Sequence, residues 1–441
     1  MTVVVVVVAV VAVLALLALV HRWLWVRLVR DTTRAGGAAR RTGTVLAFAL
    51  PLLALAALTA GRAGAPFWLQ RVVAWPGYMW LAVLLYLTLA MLVAEPARRL
   101  WLRRPARTGS AGPAAPAVPA TADTGRAGAS AGAGPGIPSA PAGGDTAPQT
   151  QAQATAPASA TTASVVPVSR RVFVARVAGG AAAAAALATV GTGTYGVLRG
   201  PRVKRVRVPL ARLPRAAHGF RIAVVSDVHL GPVLGRAHTQ RVVDTVNRTQ
   251  PDLIAVVGDL VDGSVHDLGP AAEPLRLLRS RLGSYFVTGN HEYFSGARQW
   301  VDHVRELGLV PLENARRELP HFDLAGVNDV QGESEGQGPD FRAALGDRDR
   351  SRTAVLLAHQ PVVIHDAVRH GVDLQLSGHT HGGQLWPGNY LAELANPTVA
   401  GLERYGDTQL YVSRGAGAWG PPVRVGAPSD ITVVELASYQ A

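Results

Sequence analysis

Three apolar runs near the N-terminus constrain this chain more than any other feature. Val3 to Val20 is unbroken, Val45 to Ala60 is interrupted only by Pro51 and Thr59, and Tyr78 to Ala94 follows. Helices of about 17–25 apolar residues match the hydrocarbon thickness of a bilayer. None of the three runs carries the polar stripe that a helix packed on a soluble core would show. Trp23 and Trp25 after the first run, and Trp75 and Trp80 about the start of the third, stand where interfacial aromatics belong. Residues 1–104 are therefore expected to be a membrane region with three transmembrane helices, and a single soluble domain is excluded.

Charge gives this region a direction. Arg22, Arg27, Arg30, Arg34, Arg40 and Arg41 lie between the first two runs, and Arg98, Arg99, Arg103, Arg104 and Arg107 follow the third, whereas the second connection holds only Arg62 and Arg71. The positive-inside rule then places the first connection and the segment after the third run in the cytoplasm. The whole chain has a formal net charge of +13, but residues 1–215 hold 24 of its 43 Lys+Arg and 4 of its 30 Asp+Glu. The two parts thus carry +20 and −7. A basic excess confined to the membrane-proximal part reads as topology and lipid contact, so nucleic acid is not expected as a partner. The absence of cysteine removes disulfides, zinc-thiolate sites and thiol nucleophiles.

Residues 105–168 are mostly Ala, Pro, Gly, Ser and Thr, too poor in large apolar side chains to offset the entropy of ordering, and are expected to be a disordered linker. Ser169-Arg170-Arg171-Val172-Phe173-Val174 and the Ala/Gly-rich stretch after it, to Leu198, resemble a twin-arginine export signal, from which Val174 and Ala175 depart. Residues 169–198 are thus expected to be a signal or anchor helix recognised by the twin-arginine export machinery, with Ala186-Leu187-Ala188 a candidate peptidase site. A basic connector, 199–217, follows. Its arginines would by charge alone stay inside, but that rule weakens for domains that translocate as a unit. The expected location is the cell membrane, multi-pass, with the C-terminal domain on the extracytoplasmic side.

From Phe220 the texture changes. Phe220–Ser226, Leu253–Val257, Tyr285–Val287, Thr353–Leu357, Leu374–Leu376, Leu410–Val412 and Ile431–Glu435 read as strands, and Arg236–Thr249 and Gly296–Leu307 as helices. Several strands run into metal-binding residue types: Asp227-Val228-His229, Gly258-Asp259-Leu260-Val261-Asp262, Gly289-Asn290-His291-Glu292, His359 and Gly378-His379-Thr380-His381. One such piece is more often a cap or a solvated loop residue. Five together, at the ends of strands, are how an α/β fold builds a site along one edge of its sheets. Carboxylate, amide and imidazole donors without thiolate suit Mn, Fe, Zn or Ni, and there are too many histidines for a plain Mg or Ca cage. Two such ions about 3.5–4 Å apart, bridged by a carboxylate, are the usual device for cleaving phosphoesters.

These motifs resemble those of the calcineurin-like metallophosphoesterase superfamily, DxH, GDxxD/N, GNH(E/D), H and GHxH, over residues 218–441. His359-Gln360-Pro361, Gly382-Gly383-Gln384, Tyr411-Val412-Ser413-Arg414-Gly415 and Gly420-Pro421-Pro422 resemble in particular the membrane-anchored bacterial YkuE/YaeI-like phosphodiesterase branch. The resemblance implies a four-layer α/β/β/α sandwich preceded by transmembrane helices, and a metallophosphoesterase, a phosphodiesterase more than a monoesterase, with two divalent ions and a bridging hydroxide. It implies that Asp227, His229 and His381 hold one ion and Asn290, His359 and His379 the other, with Asp259 bridging. His291 would act beside the phosphate, with Glu292 orienting it. Asp262 is expected to hydrogen-bond within its loop, and Gly258, Gly289 and Gly378 to permit tight turns.

Arg414 stands in a glycine-rich segment and is a candidate phosphate ligand as well as an ordinary surface arginine. Trp386, Tyr390, Tyr405 and Trp419 are expected in the core, with a groove for an acyl chain or a base as the alternative. His218, His238, His266, His303, His321, His365 and His370 read as plain surface or core residues. The expected substrate is a phosphoester, with phospholipid or nucleotide-linked lipid suggested by location. Two rivals stand beside this reading: a non-catalytic, metal-containing phospholipid-binding or sensor domain on a membrane anchor, and a transporter, against which the absence of ionisable residues from the apolar runs counts.

Overall fold

The computed structural model describes residues 2–103 and 169–440. The linker expected over 105–168 lies outside the described residues. Among the described residues, four helices are long and apolar enough to cross a membrane: α1 (Thr2–Trp25), which continues as a π-helix to Arg30, α2 (Ala38–Thr59), α3 (Phe67–Arg103) and α4 (Arg170–Leu198). The apolar runs mark the middles of these helices. The ends extend past them because the flanking arginines are good helix formers. Ser169 caps α4, its hydroxyl accepting the Val172 N–H at 3.4 Å.

Opposite ends of this bundle differ in character. At one end the buried Glu95 accepts hydrogen bonds from Arg27, Arg98 and Arg99. There Arg170 bonds the Trp101 carbonyl and Arg176 the Thr32 carbonyl. At the other end α4 leads directly into a sheet. Its first strand, β1 (Arg202–Leu210), lies within the segment read as a connector, which corrects that expectation. Val206, Val208 and Leu210 alternate with Arg205, Arg207 and Pro209, so one face enters the core while the arginines stay exposed. The density of arginine masked this period-two pattern.

The soluble part is two six-stranded sheets. The first has the order β1, β12 (Asp430–Ser438), β2 (Arg221–Val225), β3 (Leu253–Val257), β4 (Ser284–Val287), β5 (Val310–Pro311). The second has the order β10 (Gly401–Tyr405), β11 (Thr408–Val412), β9 (Leu374–Ser377), β8 (Ala354–Leu357), β7 (Asp323–Gly326), β6 (Ala315–Glu318). Strands β2 to β5 are parallel, as are β7, β8, β9 and β11. Alternation along each strand builds the layers. Ile222 and Val224 meet Val355 and Leu376 between the sheets. Ala223 and Val225 face outward onto α5 (Arg236–Arg248), α6 (Val265–Ala272) and α8 (Ala297–Glu306), through Val242, Leu268 and Trp300. On the far side Leu356 and Val412 pack on α9 (Phe341–Leu345) and α10 (Ile364–Arg369). The result is the four-layer α/β/β/α sandwich. Two further helices, α7 (Asn290–Ser295) and α11 (Gly388–Ala395), flank the edge where the parallel strands end.

Candidate metal centre

Five of the parallel strands each end two or three residues before the first of their motif residues. Strand β2 delivers Asp227 and His229, β3 delivers Asp259 and Asp262, β4 leads to Asn290 and His291 on the first turn of α7, β8 delivers His359, and β9 delivers His379 and His381. Asp227, His229, Asp259, His379 and His381 all have positive φ, between 49° and 72°. For residues with a Cβ this costs about 1–2 kcal/mol each, so the surrounding fold imposes the conformation. Its effect is to turn neighbouring side chains toward one point.

Potential ligand atoms converge in two groups that share Asp259: Asp227, His229, Asp259 and His381, and Asp259, His359 and His379, with the atoms of each group within 4.8 Å of one another. His229 Nε2 lies 3.0 Å from His381 Nε2, which is 3.3 Å from Asp227 Oδ1. One carboxylate oxygen, Asp259 Oδ2, lies 3.7 Å from His229 Nε2 and 3.1 Å from His359 Nε2. Asn290 Oδ1 is 3.0 Å from His379 Nδ1. All seven residues expected as ligands are thus brought together.

The tautomers suit cations. His359 Nδ1–H donates to the Val257 carbonyl at 2.9 Å, leaving Nε2 buried without a hydrogen-bonding partner and facing Asp259. His229 Nδ1–H donates to Asp262 at 3.0 Å, which aims the Nε2 lone pair inward. An orphaned nitrogen aimed at a carboxylate oxygen calls for positive charge between them. Protons partly answer that demand. Burial opposes charging His229, yet Asp262 pushes it up to about 9, and Asp259 likewise holds His359 well above the usual imidazole range. Divalent ions fit the same place, with imidazole and carboxylate donors appropriate to them.

Asp262 does more than brace its loop. Its Oδ1 also lies 2.6 Å from His291 Nδ1, so one carboxylate orients both imidazoles. Burial would raise it, but His229 and His291 hold it down to about 2. The expectation that Glu292 orients His291 is corrected: Glu292 is fully buried and accepts the backbone N–H groups of Gly289, Asp259 and Leu260 at 2.6–3.0 Å. Three convergent donors outcompete a neighbouring ring. Gly258 has φ +72°, as a tight turn requires, whereas at Gly378 a Cβ would overlap Ser226 Oγ and crowd Asp227.

Two arginines contrast. Arg414 lays its stem over Gly382, beside His381, and makes no hydrogen bond or ion pair among the described residues. Arg424, unremarkable in sequence, is buried and donates to the carbonyls of Gly417, His381 and Ala427, with Nη2 3.1 Å from His381 Nδ1. Core packing expected for the aromatics holds for Tyr405, which packs against the cluster beneath α9 and α10, and is corrected for Trp386, Tyr390 and Trp419, which are 49%, 58% and 50% exposed. Trp419 and Phe294 flank His291, with ring centroids at 5.8 and 5.4 Å.

Residues 220–383 match the family model described as calcineurin-like phosphoesterase. The chain is 39% identical over 250 residues to a transmembrane protein with metallophosphoesterase domain of Danio rerio, covering 54% of this chain and 57% of that protein. It is 34% identical over 240 residues to a metallophosphoesterase of Aquifex aeolicus (strain VF5), covering 53% of this chain and 91% of that one. With the metallophosphoesterase YkuE of Bacillus subtilis (strain 168) it shares 29% identity over 285 residues, 62% of this chain and 98% of the relative. The chain belongs to the calcineurin-like metallophosphoesterase family, whose members use divalent metal ions. It is a membrane protein of that family, and it spans little more than half the length of the animal relatives it matches.

Proposed function

We propose that this chain is a membrane-anchored, metal-dependent phosphoesterase, a hydrolase acting preferentially on phosphodiesters. The observation that carries the reading is Asp259 Oδ2, shared by two convergent groups of ligand atoms. Asp227, His229 and His381 would hold one divalent ion, Asn290, His359 and His379 the other, and Asp259 both. When bound, such ions would supply a hydroxide nucleophile near neutral pH and neutralise phosphate oxygens.

The remaining steps fall to the chain itself. His291, at the mouth of the centre and backed by Asp262, is placed to donate a hydrogen bond to a phosphate oxygen or a proton to the departing alkoxide. The Asp262 carboxylate stabilises the charged imidazole and fixes its Nδ1 proton. Arg414, beside His381, is a further candidate phosphate ligand. The substrate is a phosphoester carried by a lipid, such as a phospholipid or a nucleotide-linked lipid.

The domain is placed on the extracytoplasmic side. Support comes from the bundle itself, whose basic end, with Arg27, Arg98, Arg99 and Arg176, is opposite the end that leads into β1. Export by the twin-arginine machinery fits Arg170 and Arg171 at that basic end. In the structure Ser169 also serves as the α4 cap, and Phe173 packs edge-on against Trp101.

The test is hydrolysis of bis(4-nitrophenyl) phosphate and 4-nitrophenyl phosphate by the full chain, with and without Mn²⁺, beside Asp259→Asn and His291→Ala. Metal-dependent turnover, faster on the diester and lost in both variants, is expected. A folded, metal-loaded chain inert to both esters would refute general phosphoesterase chemistry, leaving a lipid-selective enzyme or a binding or sensor domain.

A further inference from the structure

His229, at the edge of the candidate metal centre, lines a cavity of about 430 Å³ that is not enclosed by the soluble domain alone. His229, Asp262 and His291 line one side. Another part of the wall is the α2–α3 hairpin, with Leu58 on α2, Arg62 in the turn and Tyr78 on α3. This wall is braced. Gln70 Nε2 donates to the Ala65 carbonyl at 2.8 Å, Tyr78 Oη donates to the Ala57 carbonyl at 3.0 Å, and Phe67 packs against the core beneath α5, α6 and α8.

Arg62 is exposed and forms no ion pair among the described residues; its one hydrogen bond goes to the Leu58 carbonyl of its own turn. A cation left unpaired in a cavity that His229 and His291 also line suits an anionic ligand group. Apolar surface accompanies it, for Phe294 and Trp419 also line the cavity with 58% and 50% of their surface exposed.

A separate contact puts this edge of the domain within the thickness of the bundle. The Trp386 carbonyl accepts a hydrogen bond from Tyr86 Oη at 3.0 Å. Tyr86 lies eight residues past Tyr78, about 12 Å along the helix axis, in the middle of the third apolar run. On α11, which follows at once, Tyr390, Leu391 and Leu394 are 58%, 72% and 85% exposed. Such side chains beside a membrane-spanning helix fit acyl chains and not water.

We propose that the α2–α3 hairpin completes the substrate cavity and that Arg62 is a specificity residue, holding an anionic headgroup oxygen of an amphiphilic phosphoester drawn from the bilayer. The inference rests on the proposed hydrolase for its chemistry but can be tested apart from it. The full chain in lipid nanodiscs is titrated with hexadecylphosphonate, a non-hydrolysable amphiphilic anion, and with methylphosphonate, a soluble source of the same group. Tighter binding of the amphiphile is expected, weakened about tenfold or more by Arg62→Glu, restored by Arg62→Lys and unaffected by Arg71→Glu, a basic residue of the same hairpin outside the cavity. Equal affinity for the two phosphonates, or equal responses to the two charge reversals, would overturn the proposal.

The chain has no cysteine, so paired cysteines report the wall directly. Ala65→Cys with Ser295→Cys should link through a short bis-maleimide in the nanodisc. A folded double variant that does not link would also overturn the proposal. A chain that binds hexadecylphosphonate through Arg62, links as expected and yet cleaves no ester would remove the hydrolase and leave the hairpin site standing.

Discussion

Asp262 is where a single change should separate orientation from ligation. Its Oδ1 accepts from His229 Nδ1 at 3.0 Å and from His291 Nδ1 at 2.6 Å, and being held down to about 2 it is anionic at any pH at which the protein would be assayed. It belongs to neither of the two groups that share Asp259. Replacing it with asparagine keeps an acceptor but removes the charge, and the amide NH₂ must turn toward solvent or against a ring. Loss of a carboxylate behind a ligating histidine typically costs about 10–100-fold in metal affinity or activity, or roughly 1.4–2.7 kcal/mol. Here one residue serves both a candidate ligand and the candidate acid, so both quantities should fall. The assay is retained Mn²⁺ after dialysis against graded chelator, together with kcat on bis(4-nitrophenyl) phosphate at saturating metal. Asp262→Asn should lose metal at lower chelator than the wild type and, once reloaded, still turn over more slowly. Wild-type metal retention and wild-type kcat in a folded variant would refute the double role. A lower melting temperature with unchanged activity per bound metal would reduce Asp262 to a loop brace.

Other consequences are independent of that pair. His238 on α5 is buried with both ring nitrogens unpartnered, and burial, helped by Arg241 and Arg424, pulls it from 6.5 to about 3. A depressed imidazole contributes stability above its unfolded value that is lost as pH falls from 6.5 toward 3, amounting to about 2 kcal/mol at pH 5. His238→Leu should therefore narrow the drop in melting temperature between pH 8 and pH 5; an unchanged drop would contradict it. Gly378→Ala should force Asp227 out of place, costing about 1–3 kcal/mol by overpacking and lowering metal content; full metal content in that variant would be inconsistent with the crowding. Leu394→Cys in liposomes should resist a membrane-impermeant maleimide that labels Asp407→Cys, and equal labelling of the two would place α11 in water.

The parts of this structure that were legible in sequence are those in which one local pattern suffices. Apolar runs without a polar stripe marked the helices α1 to α3. Strands β2, β3, β4, β8 and β9 announced themselves by short runs with large apolar residues that lead into Asp, Asn or His, because in an α/β fold the ligands follow the last strand residue. Strand β1 was hidden although its alternation is regular, since an edge strand tolerates arginines on its outer face and those arginines dominated the reading. The conversion of Glu292 from partner of His291 to acceptor of three backbone N–H groups depends on Gly289, Asp259 and Leu260 meeting in space, which adjacency in sequence does not report.

The least legible feature is the wall opposite His291. Residues Leu58 to Tyr78 look like an ordinary connection between two spans, with nothing in their composition to relate them to motifs 149 or more positions later. Their place at the cavity follows from lengths. Helix α3 spans 37 residues, about 55 Å, and is therefore longer than the roughly 30 Å hydrocarbon core of a bilayer. The excess has to project at one or both ends. At the Phe67 end it meets the edge of the sandwich that β1 and α4 hold against the bundle, because α4 packs along α3 and Gly193 of α4 lies close enough to Val423 and Arg424 that no side chain would fit between them. The same α4 that tethers the domain thus fixes which edge faces the hairpin, and that edge carries the candidate metal centre. Lengthening the tether should separate the two: a flexible insertion between Leu198 and Arg202 would leave the metal ligands intact, and metal retention should survive it while binding of the amphiphilic phosphonate falls. An insertion that left that binding unchanged would show that the hairpin holds its position over the cavity without help from α4.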